Sequence, residues 1–366
     1  MTSPATDDSA GGPPPGLPLR AGGAERRLKW LLWLLGLLVA VPTIVTLIGA
    51  ATSPPHAKGV PVGRLVYLDA DQPSEKTTLL RGLYLSQPDG PPRLLVHEYE
   101  PQDTDAGVRE WITEPAASPD GTQVAYIKQD ITLLEETHTQ DTQLWVMPLN
   151  VPNAKSRPLL DLTKLGFKQI VGLTWTPDGR SVVFSQDDAL YGVPAAGTGA
   201  AKPAKLGSLT PFAPLKTRPD VSATQGVTLR PPATRAYLAQ TVRGPEVVVA
   251  TATADTRSQG MYPASVWAVS GDNQIAYVDP THPAHIIVQA LPPLEGSRSY
   301  QARWGWSLFG GRRVTSLRWS PDGQYLAYTV SKPPVPEDEL FYIALADGKT
   351  YQLPVRTGRA AWDWTR

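Results

Sequence analysis

The sequence predicts an all-β protein, a six-bladed β-propeller closed by pairing of its N- and C-terminal strands and preceded by a single transmembrane helix. Three observations predict it. A hairpin signature recurs along the chain, the two chain ends carry complementary pieces of that repeat, and one uncharged run near the N-terminus is long enough to cross a bilayer.

In the clearest copy of the signature, Val314-Thr315-Ser316-Leu317-Arg318-Trp319 and Gln324-Tyr325-Leu326-Ala327-Tyr328 flank Ser320-Pro321-Asp322-Gly323. The flanks are rich in β-branched and aromatic residues, as strands are. Between them Pro321 pre-sets φ, Asp322 can bond neighbouring backbone, and Gly323 tolerates positive φ. Ala117 to Tyr126 and Trp175 to Phe184 are copies, centred on Pro119 and Pro177. Val266 to Tyr277 keeps the ending Ile-Ala-Tyr around a different turn, and Val227 to Leu238 keeps only the outline. Successive hairpins lie roughly 40 to 58 residues apart, the period of a four-stranded propeller blade with variable loops.

The totals fit this reading. With 38 Pro and 31 Gly in 366 residues, the chain is punctuated for short strands rather than long helices. Its 34 basic and 34 acidic residues balance, so no bulk field favours nucleic acid as a partner. The chain has no Cys, which excludes disulfides, a cysteine nucleophile, thiolate metal sites and a cysteine-linked lipid.

In chain order, residues 1–27 are polar and rich in Pro, Gly and Ala, and are expected to form a disordered tail. Within it, Pro15 to Arg20 matches a proline-rich recognition pattern of a kind common by chance in such tails. Residues 28–52 are expected to be the membrane span, since about 20 apolar residues cross a hydrocarbon core of about 30 Å. Trp30 and Trp33 suit the headgroup region, and Pro42 is tolerated in a span. The alternative is a signal peptide cleaved near Gly49-Ala50-Ala51, but the apolar run exceeds the usual length of roughly 7 to 15 residues. Arg20, Arg26, Arg27 and Lys29 precede the span, against Lys58 and Arg64 soon after it. The expected topology is therefore single-pass in the cytoplasmic membrane, with the N-terminus inside and the rest outside.

Residues 53–60 read as a linker and 61–366 as the propeller. Behind Pro119 the further strands are Gln143 to Met147 and Arg157 to Leu160; behind Pro321 they are Leu340 to Ala344 and Thr350 to Leu353. Gly358 to Thr365 resembles the first strand of a repeat that then stops before its turn. Val62 to Leu68 resembles a second strand lacking its first, followed by Gly82 to Ser86 and Pro92 to Val96. Joining these ends makes a composite sixth blade and removes two exposed sheet edges.

With Trp-Ser-Pro-Asp-Gly followed by an apolar, Tyr-ending strand, residues 60 to 366 resemble the TolB-type, WD40-like propeller repeats. The resemblance implies that the motif residues are structural and that the fold serves as a scaffold, a sensor or the propeller of a peptidase. No nucleophile elbow or hydrolase segment accompanies it here. A TolB protein proper carries an N-terminal α/β domain where this chain carries its apolar run, so a role in the Tol system is not implied.

Several clusters bear on chemistry. His282-Pro283-Ala284-His285 places two imidazoles near Asp279, short of the three or four groups a metal centre needs, and reads as a solvated loop. Asp69 and Asp71, Asp103 and Asp105, Asp187 and Asp188, and Glu337-Asp338-Glu339 lack the spacing of a calcium loop and read as solvated surface. Asp120, Asp178 and Asp322 read as turn formers. Arg303, Trp304, Trp306, Phe309, Arg312 and Arg313 form an aromatic and basic insert between blades, read as a surface for a sugar, peptide or protein partner or as a cover for a sheet. No catalytic residue, cofactor or metal is expected. The leading expectation is a non-catalytic, membrane-anchored binding or scaffold module for a protein, peptide or envelope glycan. The alternatives are a hydrolase or lyase with a channel-end active site, and a transmembrane sensor.

Overall fold

The computed structural model describes residues 29–41, 53–70, 81–87, 90–98, 107–134, 137–167, 170–186, 189–197, 199, 201–208, 222–230, 234–241, 244–251, 258–264, 266–291, 296–304, 312–332, 335–358 and 362–366. The chain divides into two compact units, Met1–Ser53 and Pro54–Arg366. In the first, residues 29–41 are helical, a length of about 20 Å at 1.5 Å per residue. No helix among the described residues is long and apolar enough to cross a membrane. The expected tail, Leu28 and residues 42–52 of the expected span lie outside the described residues.

The second unit is a six-bladed propeller, each blade a four-stranded antiparallel sheet. Blade 1 joins the chain ends: β24 (Trp362–Thr365), β1 (Arg64–Ala70), β2 (Arg81–Gln87) and β3 (Gly90–His97). Blade 2 is β4 (Gly107–Ala117), β5 (Gln123–Leu134), β6 (Thr137–Pro148) and β7 (Arg157–Asp161). Blade 3 is β8 (Val171–Trp175), β9 (Ser181–Gln186), β10 (Ala189–Pro194) and β11 (Ala204–Ser208). Blade 4 is β12 (Ser222–Arg230), β13 (Thr234–Thr241), β14 (Gly244–Thr251) and β15 (Ser258–Pro263). Blade 5 is β16 (Trp267–Val269), β17 (Gln274–Val278), β18 (His285–Ala290) and β19 (Arg298–Gln301). Blade 6 is β20 (Arg313–Trp319), β21 (Tyr325–Lys332), β22 (Val335–Ala344) and β23 (Thr350–Gly358). The first strands touch in the circular order β24, β4, β8, β12, β16, β20 and back to β24, so they surround the axis.

Among the described residues, six buried apolar clusters hold the ring, one between each pair of neighbouring blades. Strand β1 shows why the strands read as nearly continuous apolar runs. Successive side chains point to opposite faces. Leu65 and Tyr67 pack with blade 6, while Val66 and Leu68 pack with blade 2. Each sheet is thus buried on both faces, and no blade could bury both alone.

The hairpin turns share one bonding scheme. In the copy at Pro321, Ser320 Oγ donates to Asp322 Oδ1 at 2.6 Å, and Asp322 Oδ1 accepts from Gln324 N at 3.1 Å. Tyr325 N then donates to Ser320 Oγ at 2.9 Å. Ser118 with Asp120, and Thr176 with Asp178, repeat the arrangement. Gly121, Gly179 and Gly323 stand at φ 69°, 69° and 70°, as the turn reading requires. In blade 5, Asn273 fills the glycine position at φ 54°.

Candidate functional site

The strand connections sort the candidate residues by face. The Pro-Asp-Gly turns of neighbouring blades lie side by side. Arg64 donates to Gly121 O at 2.9 Å, and a Cβ on Gly179 would meet Pro119. They mark one face of the ring. The connections from second to third strands, and from each blade to the next, therefore open on the other face. Arg303 and Trp304, at the start of the connection from β19 to β20, belong to this second face, and so does the His282 hairpin between β17 and β18.

These two stretches, separate in the sequence, are joined. Ala302 N donates to Ala284 O at 2.8 Å, and β18 pairs with β19 with His285 opposite Gln301. The insert is pinned at its start by the buried Tyr328, whose hydroxyl donates to Arg303 O at 2.7 Å and accepts from Arg303 N at 3.0 Å. Burial pushes that phenol up, so it stays protonated. Arg303 itself is exposed, and Trp304 packs partly against the core between blades 5 and 6. Arg312 is 6% exposed and pairs with Glu339 at 3.7 Å. Arg313 is exposed. Trp306 and Phe309 lie outside the described residues, as do Asp71, Asp103, Asp105, Asp187 and Asp188.

A second cluster, which the sequence reading did not single out, lies on the first strands. Arg318 on β20 places Nε 3.6 Å from Asp363 Oδ1 on β24, with its guanidinium 5.9 Å from the centre of the Trp362 ring. Asp363 Oδ2 accepts from Ala117 N on β4 at 2.9 Å. Glu114 completes the group. It sits at φ 52° within a bulge of β4, a conformation non-glycine residues seldom adopt. The facing strand β8 bulges too, with Gly172 at φ 68°. Glu114 is exposed and stands on β4, one of the strands that surround the axis of the ring. Removal from bulk water raises its pKa. The Arg318 charge and the N–H groups of Leu173 and Gly172 offset this in part.

The cluster thus gathers two carboxylates and one guanidinium from blades 1, 2 and 6, with backbone donors from blade 3. Such convergence of ionisable groups on strained backbone is what a channel-end active site would need. Here each group has a partner within the fold. The signal was present in principle, because Arg318 and Asp363 both immediately precede the repeat tryptophans Trp319 and Trp364. Aligning first strands for charge rather than for apolar pattern would have found them.

The motif aspartates serve the turns. Burial acts to raise the pKa of Asp120, but the Ser118 hydroxyl and the Thr122 N–H hold it below its usual value. The Thr176 hydroxyl and Arg180 N–H lower that of Asp178. Among the described residues no group of three or more His, Asp or Glu converges to hold a metal ion.

No protein-family model matches the chain, and no curated protein matches its sequence. Solved structures similar to it include an oligogalacturonate lyase in complex with manganese, 11% identical with a TM-score of 0.42, over 79% of this chain and 73% of that one. A puromycin hydrolase is 16% identical with a TM-score of 0.47, over 80% of this chain but 45% of that one. A putative TolB from Agrobacterium tumefaciens is 13% identical with a TM-score of 0.41, over 66% of this chain and 80% of that one. Identities this low concern the fold alone. The chain is a six-bladed β-propeller built on repeated Ser/Thr-Pro-Asp-Gly hairpins, with TolB-like and lyase propellers among its structural neighbours.

Proposed function

We propose that this chain is a membrane-anchored, extracytoplasmic propeller that binds a protein, peptide or envelope glycan without catalysis. The contact surface in this reading is the face carrying Arg303 and Trp304. The observation that carries it is how the channel charges are used. Arg318 is matched by Asp363 and Glu114, Asp363 is held by Ala117 N, and Glu114 faces backbone N–H groups. A catalytic pair needs a base or nucleophile free to reach a substrate. Arg303 by contrast is exposed on a pinned backbone, which suits recognition of a polar or anionic partner. Anchoring is supported by the helix at 29–41, where Trp30, Leu31, Trp33, Leu34 and Leu38 are all exposed. A helix apolar on every side favours apolar surroundings.

The test compares full-length wild type with Arg303→Glu, recovered by crosslinking from native membranes. Loss of a specific crosslinked partner at unchanged melting temperature is expected. Identical crosslinks from both proteins would refute the assigned face. External protease on spheroplasts should remove the propeller and spare the tail, whereas a soluble form beginning near Thr52 would refute the anchor.

A hydrolase or lyase remains the second reading, favoured by the convergence of Glu114, Arg318 and Asp363 in the channel. Turnover of an envelope polysaccharide or peptide that Glu114→Gln abolishes would establish it over the first.

A further inference from the structure

We propose that His282 and His285 form a two-imidazole chelate for a late first-row divalent metal such as Zn²⁺, Cu²⁺ or Ni²⁺, open to a further ligand on the face of the propeller that carries Arg303. The first support is spacing. Metal–nitrogen bonds of about 2.0–2.1 Å place two imidazoles sharing one ion with ring centres roughly 5–6 Å apart. The two rings stand with centres 5.5 Å apart, tilted at 45°.

The second support is the state of the ring nitrogens. Asp279 Oδ2 lies 3.2 Å and Thr281 Oγ1 2.9 Å from Nδ1 of His282. The Thr281 hydroxyl already donates to Asp279 Oδ1 at 2.6 Å, so both neighbours are acceptors toward the ring. Nδ1 of His282 must then carry the proton, which leaves the Nε2 lone pair of the neutral ring available to a metal. Carboxylate-held imidazoles of this kind are the common outer-shell pattern of metal-ligating histidines. On the second ring, Ser299 Oγ stands 3.4 Å from Nδ1 of His285.

The third support is a prepared backbone. His282 N donates to Asp279 O at 3.1 Å, His285 N to His282 O at 2.7 Å, and Asp279 N to His285 O at 3.0 Å. Pro283 between the ligands fixes one φ. Both side chains are exposed, so an ion can reach them from solvent. Imidazole donors suit zinc, copper and nickel rather than magnesium or calcium. Two protein ligands leave at least two tetrahedral positions for water or for a donor from a bound molecule. The site stands independently of the binding reading given above.

The test is equilibrium dialysis of the full-length protein against Zn²⁺, Ni²⁺ and Cu²⁺ separately, with electron paramagnetic resonance on the Cu²⁺ form. One ion per chain is expected, with superhyperfine coupling from two nitrogens. His282→Ala and His285→Ala should each weaken binding at least tenfold, and Asp279→Asn should weaken it about 10- to 100-fold while both histidines remain. Unchanged melting temperatures of the metal-free variants will show that the turn is intact. The proposal is overturned if wild type binds no more metal than the double histidine variant. It is also overturned if the retained ion is held elsewhere, at His56, His97 or His138.

Discussion

Leu65 and Trp364 stand opposite each other in an antiparallel pair that joins the first strand of the propeller to the last. The register runs from Arg64 opposite Thr365 to Tyr67 opposite Trp362. Trp364 Nε1 donates to Val62 O at 2.6 Å, and Trp362 is 1% exposed with its indole N–H on Ser316 Oγ of blade 6. One short strand therefore links blades 6 and 1 and closes the circle. The entropic cost of joining distant residues grows only logarithmically with separation, so burial of this strand can offset it.

Deleting Gly358 to Arg366 should accordingly destabilise the whole ring rather than fray an end. Melting of the truncated chain is expected to be broad and lower than that of the full chain. Trp362→Ala alone should cost about 3–5 kcal/mol, as large-to-small substitutions of buried aromatics do. A sharp transition at the wild-type temperature would show that the closure contributes little.

The turns offer a paired test. Gly323→Val should cost on the order of 1–2 kcal/mol, because a β-branched residue fits φ 70° poorly. A Cβ there would also meet Asp272 Oδ2 at 2.8 Å. Asn273 occupies the equivalent position in blade 5 and nothing lies in its way on φ grounds but its own Cβ. Asn273→Gly should be neutral to slightly stabilising, by less than about 1 kcal/mol. Chemical denaturation of the two variants beside wild type decides both.

Much of this architecture was readable because each blade repeats one physical solution. The Ser320 to Gly323 turn recurs in kind, and the orphan strand at Trp362 to Thr365 matched the gap before Arg64. The degenerate blade 4 was readable only in outline. Its β12 and β13 pair around Arg230 and Thr234 with no Ser-Pro-Asp-Gly turn to mark them. The candidate sites were far less legible. Sequence spacing says nothing of the Arg318 charge acting on Glu114, since the pair spans blade 2 and blade 6 and Glu114 sits in a bulge at a non-glycine residue. Nor does it show that Ala284 and Ala302 bond, which brings the histidine hairpin and the insert together.

Glu114 should leave a signature in pH. Its folded-state pKa is raised from 4.5 by loss of solvent, so the folded protein holds that proton more tightly than the unfolded chain. The stability linked to it is fully present below about pH 4.5 and is lost as pH rises through the raised value. Glu114→Gln removes this dependence. The melting temperature of the variant relative to wild type should therefore climb as pH is raised from 4 to about 8, with the sign set by the raised direction. A constant difference across that range would mean Glu114 titrates as it does in the unfolded chain.

The last expectation concerns a buried chain of hydroxyls running from β24 through blade 6. The indole N–H of Trp362 can only donate, and it meets Ser316 Oγ at 2.8 Å. Ser316 is then left to donate to Thr329 Oγ1 at 2.6 Å, Thr329 to Thr315 Oγ1 at 2.8 Å, and Thr315 to Asp338 Oδ2 at 2.6 Å. One donor-only end and one carboxylate end fix the direction of every bond between. Burial raises the pKa of Asp338, while the Thr315 hydroxyl and then the Arg313 charge act to lower it. Thr315→Val keeps the shape but removes the bond that favours the carboxylate, so the pKa of Asp338 should rise further. The stability tied to its proton is lost as pH rises from the unfolded-chain value of 3.8 through the raised one, so in the variant the loss should extend to higher pH. Ser316→Ala should instead cost about 1–3 kcal/mol at every pH, because it strands the buried Trp362 N–H without an acceptor. Thermal denaturation of both variants between pH 4 and about 8 separates the two effects. Superimposable pH profiles for Thr315→Val and wild type would show that Thr315 does not set the Asp338 carboxylate.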